Sequence, residues 1–252
     1  RGFENVFASA DIAPFIKIVP RAETTVVNAY IARKIDSYLN NVAKRLSQGN
    51  LFVMTSAGGL NRAGTYTAKD SLLSGPAGGV SGAAAAGRAS GYKRLISFDM
   101  GGTSTDVARI SDGFDYVFEH VVGEAHLVAP ALAIETVAAG GGSIGGFDGA
   151  SRTVGPESAG AKPGPACYGD GGPLTLTDVN LLLGRLDEGM FEIPIVRNDA
   201  LAQAEQLRFL VESATGESMT IEAMLEGLLD IADASMADAI RRVSIRKRSE
   251  ES

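Results

Sequence analysis

Residues 95–107 read Leu-Ile-Ser-Phe-Asp-Met-Gly-Gly-Thr-Ser-Thr-Asp-Val, and this stretch carries the clearest signal in the chain. An apolar run ends at Asp99, a Gly-Gly pair turns the chain, and Asp106 opens the next apolar run. We expect two antiparallel strands joined by this turn. Because glycine has no Cβ, backbone N–H groups in such a turn can approach a ligand closely.

The turn therefore predicts a cradle for phosphate. Its candidate donors are five consecutive residues, Gly101, Gly102, Thr103, Ser104 and Thr105. The carboxylates of Asp99 and Asp106 flank the turn where hydrated Mg²⁺, another divalent cation or K⁺ could sit, so both are candidate catalytic and metal-binding residues. The competing interpretation is a tight hairpin with a polar surface. Two acids and three hydroxyls within eight residues favour the phosphate interpretation.

The composition narrows the class of protein. With 252 residues, 45% of them hydrophobic, the chain can bury a substantial core. A net charge of −7 argues against a nucleic-acid partner. We see no signal peptide and no apolar run of ~18 residues, so we expect a soluble, cytoplasmic protein that does not enter a membrane. A single cysteine suits a reducing compartment.

Hydrophobic periodicity predicts an α/β layered domain. We expect strands at 51–54, 95–98, 107–110 and 114–119. We expect one helix after Glu23-Thr-Thr, with an apolar face from Val26 to Leu46 and a stop at Gly49. Further helices are expected at 80–89, at 199–214 and at 220–243, with another helix capped by Thr177 or Asp178. The glycine-rich segment 121–176 is expected to be a β-containing or looped insertion.

Two more glycine-rich segments are open to alternative interpretations. Residues 140–145 match G-x-G-x-x-G, but no helical pattern follows, which argues against a dinucleotide site. The segment is either a structural loop or a second ligand loop acting through Gly141, Gly142 and Ser143. Ser74-Gly-Pro-Ala-Gly-Gly79 precedes a helix, so it is either an anion site or a close-packing motif.

Other reactive residues favour simpler interpretations. Glu157 lies in a Gly/Pro-rich loop, where an isolated carboxylate is usually a surface group. Cys167 is more simply a buried structural thiol than a nucleophile. Asp99 is not the nucleophile of a haloacid-dehalogenase phosphotransferase. That nucleophile lies in an Asp-x-Asp motif, and Gly101 occupies the position of the second aspartate.

The segment from Asp99 to Asp106 resembles the second phosphate motif of the actin/Hsp70/sugar-kinase superfamily, and more closely that of the hydantoinase A/5-oxoprolinase family. Further segments resemble this family in the same order. They are Ser74-Gly-Pro-Ala-Gly-Gly79, Thr136-Val-Ala-Ala-Gly-Gly-Gly-Ser143, Val154-Gly-Pro-Glu-Ser-Ala-Gly160, Pro163-Gly-Pro-Ala-Cys-Tyr168 and Thr177-Asp-Val-Asn-Leu-Leu-Leu-Gly-Arg185.

The resemblance implies a ribonuclease-H-like ATPase lobe and ATP-driven opening of a cyclic amide such as a hydantoin or 5-oxoproline. It also implies ATP with Mg²⁺ as cofactors, with Asp99 and Asp106 organising the metal or its waters. Two alternatives remain open, namely a fragment of a related ketone carboxylase and a non-catalytic ATP-binding module.

The chain also departs from the family pattern. Family members carry a first phosphate motif of the Gly-Gly-Thr-Phe-Thr-Asp type and an adenosine loop of the Gly-Gly-Ala-Gly-Pro type, and neither occurs here. We therefore expect an internal fragment, inactive alone, with a lead-in at 1–23, a partial ATPase domain at 24–245 and a tail at 246–252. Its expected partners are the remaining parts of the polypeptide or a hydantoinase B-type subunit, within a homo-oligomer.

Overall fold

The computed structural model describes residues 2, 5–46 and 49–245. The expected tail at 246–252 lies outside the described residues. The helices within the described ranges are α1 (Ser9–Ile12), α2 (Ile18–Arg45), α3 (Ser74–Ala89), α4 (Leu176–Leu182), α5 (Arg197–Thr215) and α6 (Ile221–Ile245). No helix in these ranges is long and apolar enough to cross a membrane.

The strands pair into small sheets. They are β1 (Phe52–Met54), β2 (Leu60–Arg62), β3 (Arg94–Met100), β4 (Thr105–Ser111), β5 (Tyr116–Val122), β6 (Ala125–Leu132), β7 (Ile134–Val137), β8 (Ser143–Phe147) and β9 (Arg152–Ser158). Antiparallel pairs join β1 to β2, β5 to β6 and β8 to β9. The remaining strands form a sheet in the order β3-β4-β7. The segment predicted to contain β structure thus holds β6 to β9.

The described residues divide into two compact units. The first lies within 1–97 and 108–134, and the second within 98–107 and 135–252. The candidate phosphate turn belongs to the second unit, together with α4, α5 and α6.

Helix α2 begins at Ile18, eight residues before Val26, where the predicted apolar face starts. The Glu23-Thr-Thr segment expected to precede the helix lies inside it. Pro20 falls in the first helical turn, where a missing N–H breaks no intrahelical bond. Thr24 instead lies fully buried in the helix, where its Oγ1 accepts a hydrogen bond from the Val128 N–H at 2.9 Å. Asn28, one turn later, accepts from the Lys69 N–H at 3.0 Å. The polar residues of α2 thus satisfy backbone donors of the first unit.

The alanine-rich helix α3 packs closely in the first unit, as its composition predicts. It begins at Ser74, so it includes the Ser74–Gly79 segment that was expected to precede a helix at 80–89. Small side chains at Ala77 and Ala84 are almost fully buried beside residues of β4 and β6. This core comprises Ala77, Val80, Ala84, Ala108, Ile110 and Leu132.

The main core of the second unit forms where α4, α5 and α6 converge. Its buried members are Leu174, Leu176, Val179, Ala204, Leu207, Val211, Met224, Leu225, Leu228, Leu229 and Ala232. The apolar spacing along α5 and α6 predicts these faces, and both helices lie within two residues of their predicted bounds.

The start of α4 differs from the prediction. Thr175, rather than Thr177 or Asp178, is the N-cap, and Asp178 is the third helical residue of a capping box. Fully buried Asp178 accepts hydrogen bonds from the N–H groups of Ala166 (3.1 Å), Cys167 (2.8 Å) and Thr175 (2.8 Å). The Thr175 hydroxyl donates a fourth bond at 2.9 Å. One carboxylate thus fixes both the helix start and the preceding loop.

We predict that Asp178→Asn destabilises the protein by about 1–3 kcal/mol, because an amide NH₂ would face buried donors that lose their acceptor. The midpoint of urea unfolding measures this loss. Asp187→Asn is the matched control, since Asp187 caps a short exposed 3₁₀ turn through a single bond to the Gly189 N–H. Equal midpoints for the two variants would contradict the role given to Asp178.

Candidate functional site

The Gly-Gly turn connects β3 to β4 at the surface of the second unit. The Gly101 N–H donates to the Ser104 carbonyl at 2.9 Å and closes the turn. Gly101, Gly102 and Thr103 are exposed, and Ser104 is half-buried. The turn therefore presents backbone and hydroxyl donors to solvent.

A second loop, residues 140–143, supports this turn from behind. The Gly141 N–H donates to the Gly101 carbonyl at 3.0 Å, and the Gly142 N–H donates to the Gly102 carbonyl at 2.5 Å. A Cβ at Gly140 would lie 2.7 Å from the Ser104 nitrogen. Glycine is required there because the two backbones approach so closely.

These two hydrogen bonds orient the peptide groups of the turn. The cis peptide bonds among the described residues precede Pro156 and Pro163, so the turn is trans throughout. Across a trans peptide the C=O and N–H point in opposite directions. With the Gly101 and Gly102 carbonyls directed at the second loop, the N–H groups of Gly102 and Thr103 point away from it. Within the described residues neither N–H has an acceptor, and paired backbone donors of this kind bind anions.

The predicted hydroxyls separate into two groups. Those of Thr103 and Ser104 have no hydrogen-bond partner in the described part of the chain. Thr105 is fully buried, and its hydroxyl donates to the Ala139 carbonyl at 2.5 Å. Thr103 and Ser104 are thus available to a ligand, whereas Thr105 anchors the turn. A ligand contact by Thr105 stays a prediction.

The donors predicted in the second loop are also engaged within the protein. Ser143 is fully buried, where its Oγ accepts the Gly140 N–H at 2.8 Å and donates to the Ala138 carbonyl at 3.2 Å. The Gly141 carbonyl accepts the Thr177 hydroxyl at 2.9 Å, which ties the loop to the start of α4. The geometry makes Gly141, Gly142 and Ser143 supports of the first turn, and direct ligand contact by them stays a prediction.

The two candidate carboxylates lie in different surroundings. Asp99 is exposed on β3 and has no hydrogen bond or ion pair to a described residue. Asp106 is half-buried on β4, and its Oδ1 accepts a hydrogen bond of 2.6 Å from the Thr136 hydroxyl. Sequence reasoning assigned no role to Thr136, although the residue opens one of the family-like segments.

No group of three His, Cys, Asp or Glu side chains suited to a metal occurs among the described residues. Mg²⁺ nevertheless needs only one or two carboxylates when waters and substrate phosphates complete its shell. Asp99 and Asp106 fit an ion that arrives with a nucleotide, and they do not fit a cage made of protein ligands alone.

The remaining candidates are the Ser74–Gly79 segment and Glu157. In the Ser74–Gly79 segment, Ala77 is fully buried in the core of the first unit, in agreement with the close-packing interpretation. Anion binding by that segment stays a prediction. Glu157 is exposed on β9 without a partner among the described residues, as expected of a surface carboxylate.

Cys167 has the surroundings of a structural thiol. It is fully buried, and its backbone N–H donates to Asp178. Burial, followed by the hydrogen bond to the Asp178 carboxylate, raises the thiol pKa to about 12. The thiolate is the nucleophilic form, so nucleophilic catalysis by Cys167 is disfavoured near neutral pH.

We predict that iodoacetamide does not alkylate Cys167 in the native protein at pH 8, because the buried thiol stays protonated below its raised pKa. Mass-spectrometric peptide mapping before and after unfolding in urea measures this. Complete labelling is expected only in urea. Rapid labelling of the native protein would contradict the assignment.

Comparison with known proteins identifies the family of the chain. The sequence profile of the hydantoinase/oxoprolinase family matches residues 21–252. The chain is 39% identical over 263 residues to 5-oxoprolinase of Saccharomyces cerevisiae, covering 98% of this chain and 20% of that protein. It is 32% identical over 251 residues to caprolactamase subunit alpha of Pseudomonas jessenii, covering 96% of this chain and 36% of that protein.

A solved structure is similar as well. The nucleotide-free structure of acetone carboxylase, from work on ATP-dependent acetone carboxylation, superposes with a TM-score of 0.80 at 28% identity, covering 94% of this chain and 34% of that chain. The chain spans about a fifth of the length of the 5-oxoprolinases that it matches. Because the family profile matches residues 21–252, nearly the whole chain, this chain belongs to the hydantoinase/oxoprolinase family.

Proposed function

We propose that this chain supplies a phosphate-binding turn to an ATP-dependent enzyme that hydrolyses a cyclic amide. The observation that carries the proposal is the pair of N–H groups at Gly102 and Thr103, which the supporting loop directs toward solvent. The similarity to 5-oxoprolinases and to a caprolactamase subunit supports the substrate class. The similarity to an enzyme of ATP-dependent carboxylation supports the use of ATP.

The proposal extends to the fold and to the assembly. The β3-β4-β7 sheet with its helices is consistent with a ribonuclease-H-like lobe of the actin/Hsp70 class. A relative named as a subunit, and relatives about five times longer, support a complete enzyme with further polypeptide or a hydantoinase B-type partner. The boundaries at 24–245, a homo-oligomeric state and a cytoplasmic location remain part of the proposal.

In this mechanism the chain binds and orients phosphate. The N–H groups of Gly102 and Thr103, with the Thr103 and Ser104 hydroxyls, hold phosphate oxygens, while Gly141 and Gly142 keep the turn rigid. Asp99 and Asp106 would hold Mg²⁺ or its waters, and the metal would supply positive charge to neutralise the transferred group. ATP would supply a phosphoryl group to the ring-amide oxygen, with ADP as the leaving group. The carbon attached to that oxygen would then be electrophilic enough for water to attack, and phosphate would leave as the ring opens.

We predict that Gly102→Ala weakens MgATP binding about tenfold, because the added methyl group would obstruct close approach to the exposed donors. Within the chain that methyl meets open space, so the fold should be retained. Isothermal titration of the full-length protein with MgATP measures the affinity. Gly82→Ala is the matched control, since its added methyl also meets open space, on α3.

Equal MgATP affinities for Gly102→Ala and Gly82→Ala would count against phosphate binding by the turn. Absence of saturable MgATP binding to the full-length wild-type protein would reject the proposed function altogether.

We predict that the full-length protein releases ADP and phosphate in response to a cyclic amide such as a hydantoin or 5-oxoproline. Asp99→Asn and Asp106→Asn should each lower this turnover by about 10²-fold or more, since each removes charge that organises the transferred phosphate. A coupled assay of ADP release measures the rate, and Asp187→Asn is an exposed control. Unchanged turnover in both variants would overturn these assignments.

The second candidate is an ATP-dependent ketone carboxylase, which the similarity to acetone carboxylase favours. ADP release that requires both a ketone and bicarbonate would select this candidate. Nucleotide binding without any turnover linked to a substrate would instead indicate a non-catalytic module.

A further inference from the structure

We infer that Thr136 is the positioning residue for Asp106, fixing one carboxylate oxygen so that the other is presented to nucleotide-bound Mg²⁺. This inference rests on the proposed function. Thr136 lies on β7 and Asp106 on β4, which are neighbours in the sheet. The Thr136 Oγ1 donates to Asp106 Oδ1 at 2.6 Å, within the range of strong hydrogen bonds to carboxylates.

The alternation of side chains along the two strands places this pair on one face of the sheet. Val107 and Val137, which follow Asp106 and Thr136, pack in a core with Ala239 and Val243 of α6. Successive residues of a strand point to opposite faces. Asp106 and Thr136 therefore share the face that is directed away from α6.

Strand β7 is itself held against α6 through the residue next to Thr136. Glu135 forms an ion pair with Arg242, in which Oε1 and Nη1 lie 3.0 Å apart, and Arg242 also pairs with Asp238 at 3.3 Å. The Glu135 side chain is only 16% exposed. The Thr136 backbone is thus fixed from one face, and its hydroxyl has a defined position on the other.

The hydrogen bond leaves Asp106 with one available oxygen. Oδ1 is occupied by Thr136, and Oδ2 has no partner among the described residues. An ionised carboxylate accepts bonds at both oxygens, so Oδ2 remains able to bind a cation or its water. Without the Thr136 hydroxyl the carboxylate can rotate, and ordering it would oppose binding of the metal.

The test measures ADP affinity of the full-length protein by isothermal titration, in excess Mg²⁺ and in excess chelator. Thr136→Val removes the hydroxyl but suits a strand. We expect it to weaken ADP binding about three- to tenfold in Mg²⁺, which is the scale of one typical intramolecular hydrogen bond, and to leave Mg²⁺-free affinity unchanged. Thr136→Ser should restore most of the loss.

Thr153→Val is the matched control, because Thr153 lies on β9 in the same unit and its hydroxyl has no partner in the described residues. Wild-type behaviour of Thr136→Val, alongside weakened Mg²⁺-dependent binding in Asp106→Asn, would overturn this inference alone. Equal weakening with and without Mg²⁺ would also overturn it, since that is a structural effect. If neither Asp106→Asn nor Gly102→Ala alters ADP binding, the proposed function fails together with the inference.

Discussion

The candidate site depends on two backbone hydrogen bonds, from the Gly141 and Gly142 N–H groups to the Gly101 and Gly102 carbonyls. They fix the orientation of two successive peptide groups, and a trans peptide cannot turn its C=O inward without turning its N–H outward. A short exposed turn thereby becomes a rigid pair of donors. Under the proposed function, a phosphate group would meet donors that are already ordered, whereas a flexible turn loses affinity because it must be ordered on binding.

The same constraint explains the glycines. A Cβ at Gly140 would collide with the turn, and one at Gly142 would lie 2.9 Å from the Gly102 carbonyl oxygen. Gly102 itself has open space around it, so packing within the described residues does not require glycine there. Glycines that look alike in the sequence therefore have different surroundings, since some permit contact between two loops and another borders open space, which the proposed function assigns to phosphate.

Side chains alternate between the two faces of β4 and β7, so the packing residues lie on one face and the polar pair on the other. One face of these strands contacts α6 through the side chains of Thr105, Val107, Glu135 and Val137. Asp106 and Thr136 lie on the opposite face and bond to each other. Tight packing on one face gives the polar pair on the other a fixed frame. In the second loop, buried Ser143 and the Thr177 hydroxyl at the start of α4 hold the supporting backbone in the same way.

The sequence by itself determined the presence of helices α2 to α6, the turn at residues 101–104 and the family, because periodicity, glycine pairs and ordered motifs are local features of the chain. It did not indicate the short helix α1. It misjudged the starts of α2 and α4, since Pro20 is tolerated in a first helical turn and Thr175 competes with two neighbouring residues as N-cap. Only the tertiary structure decided which donors face solvent. The inward roles of Thr105 and Ser143, and the bond from Thr136 to Asp106, join residues that are close in space but mostly distant in the chain, and no local pattern encodes such contacts.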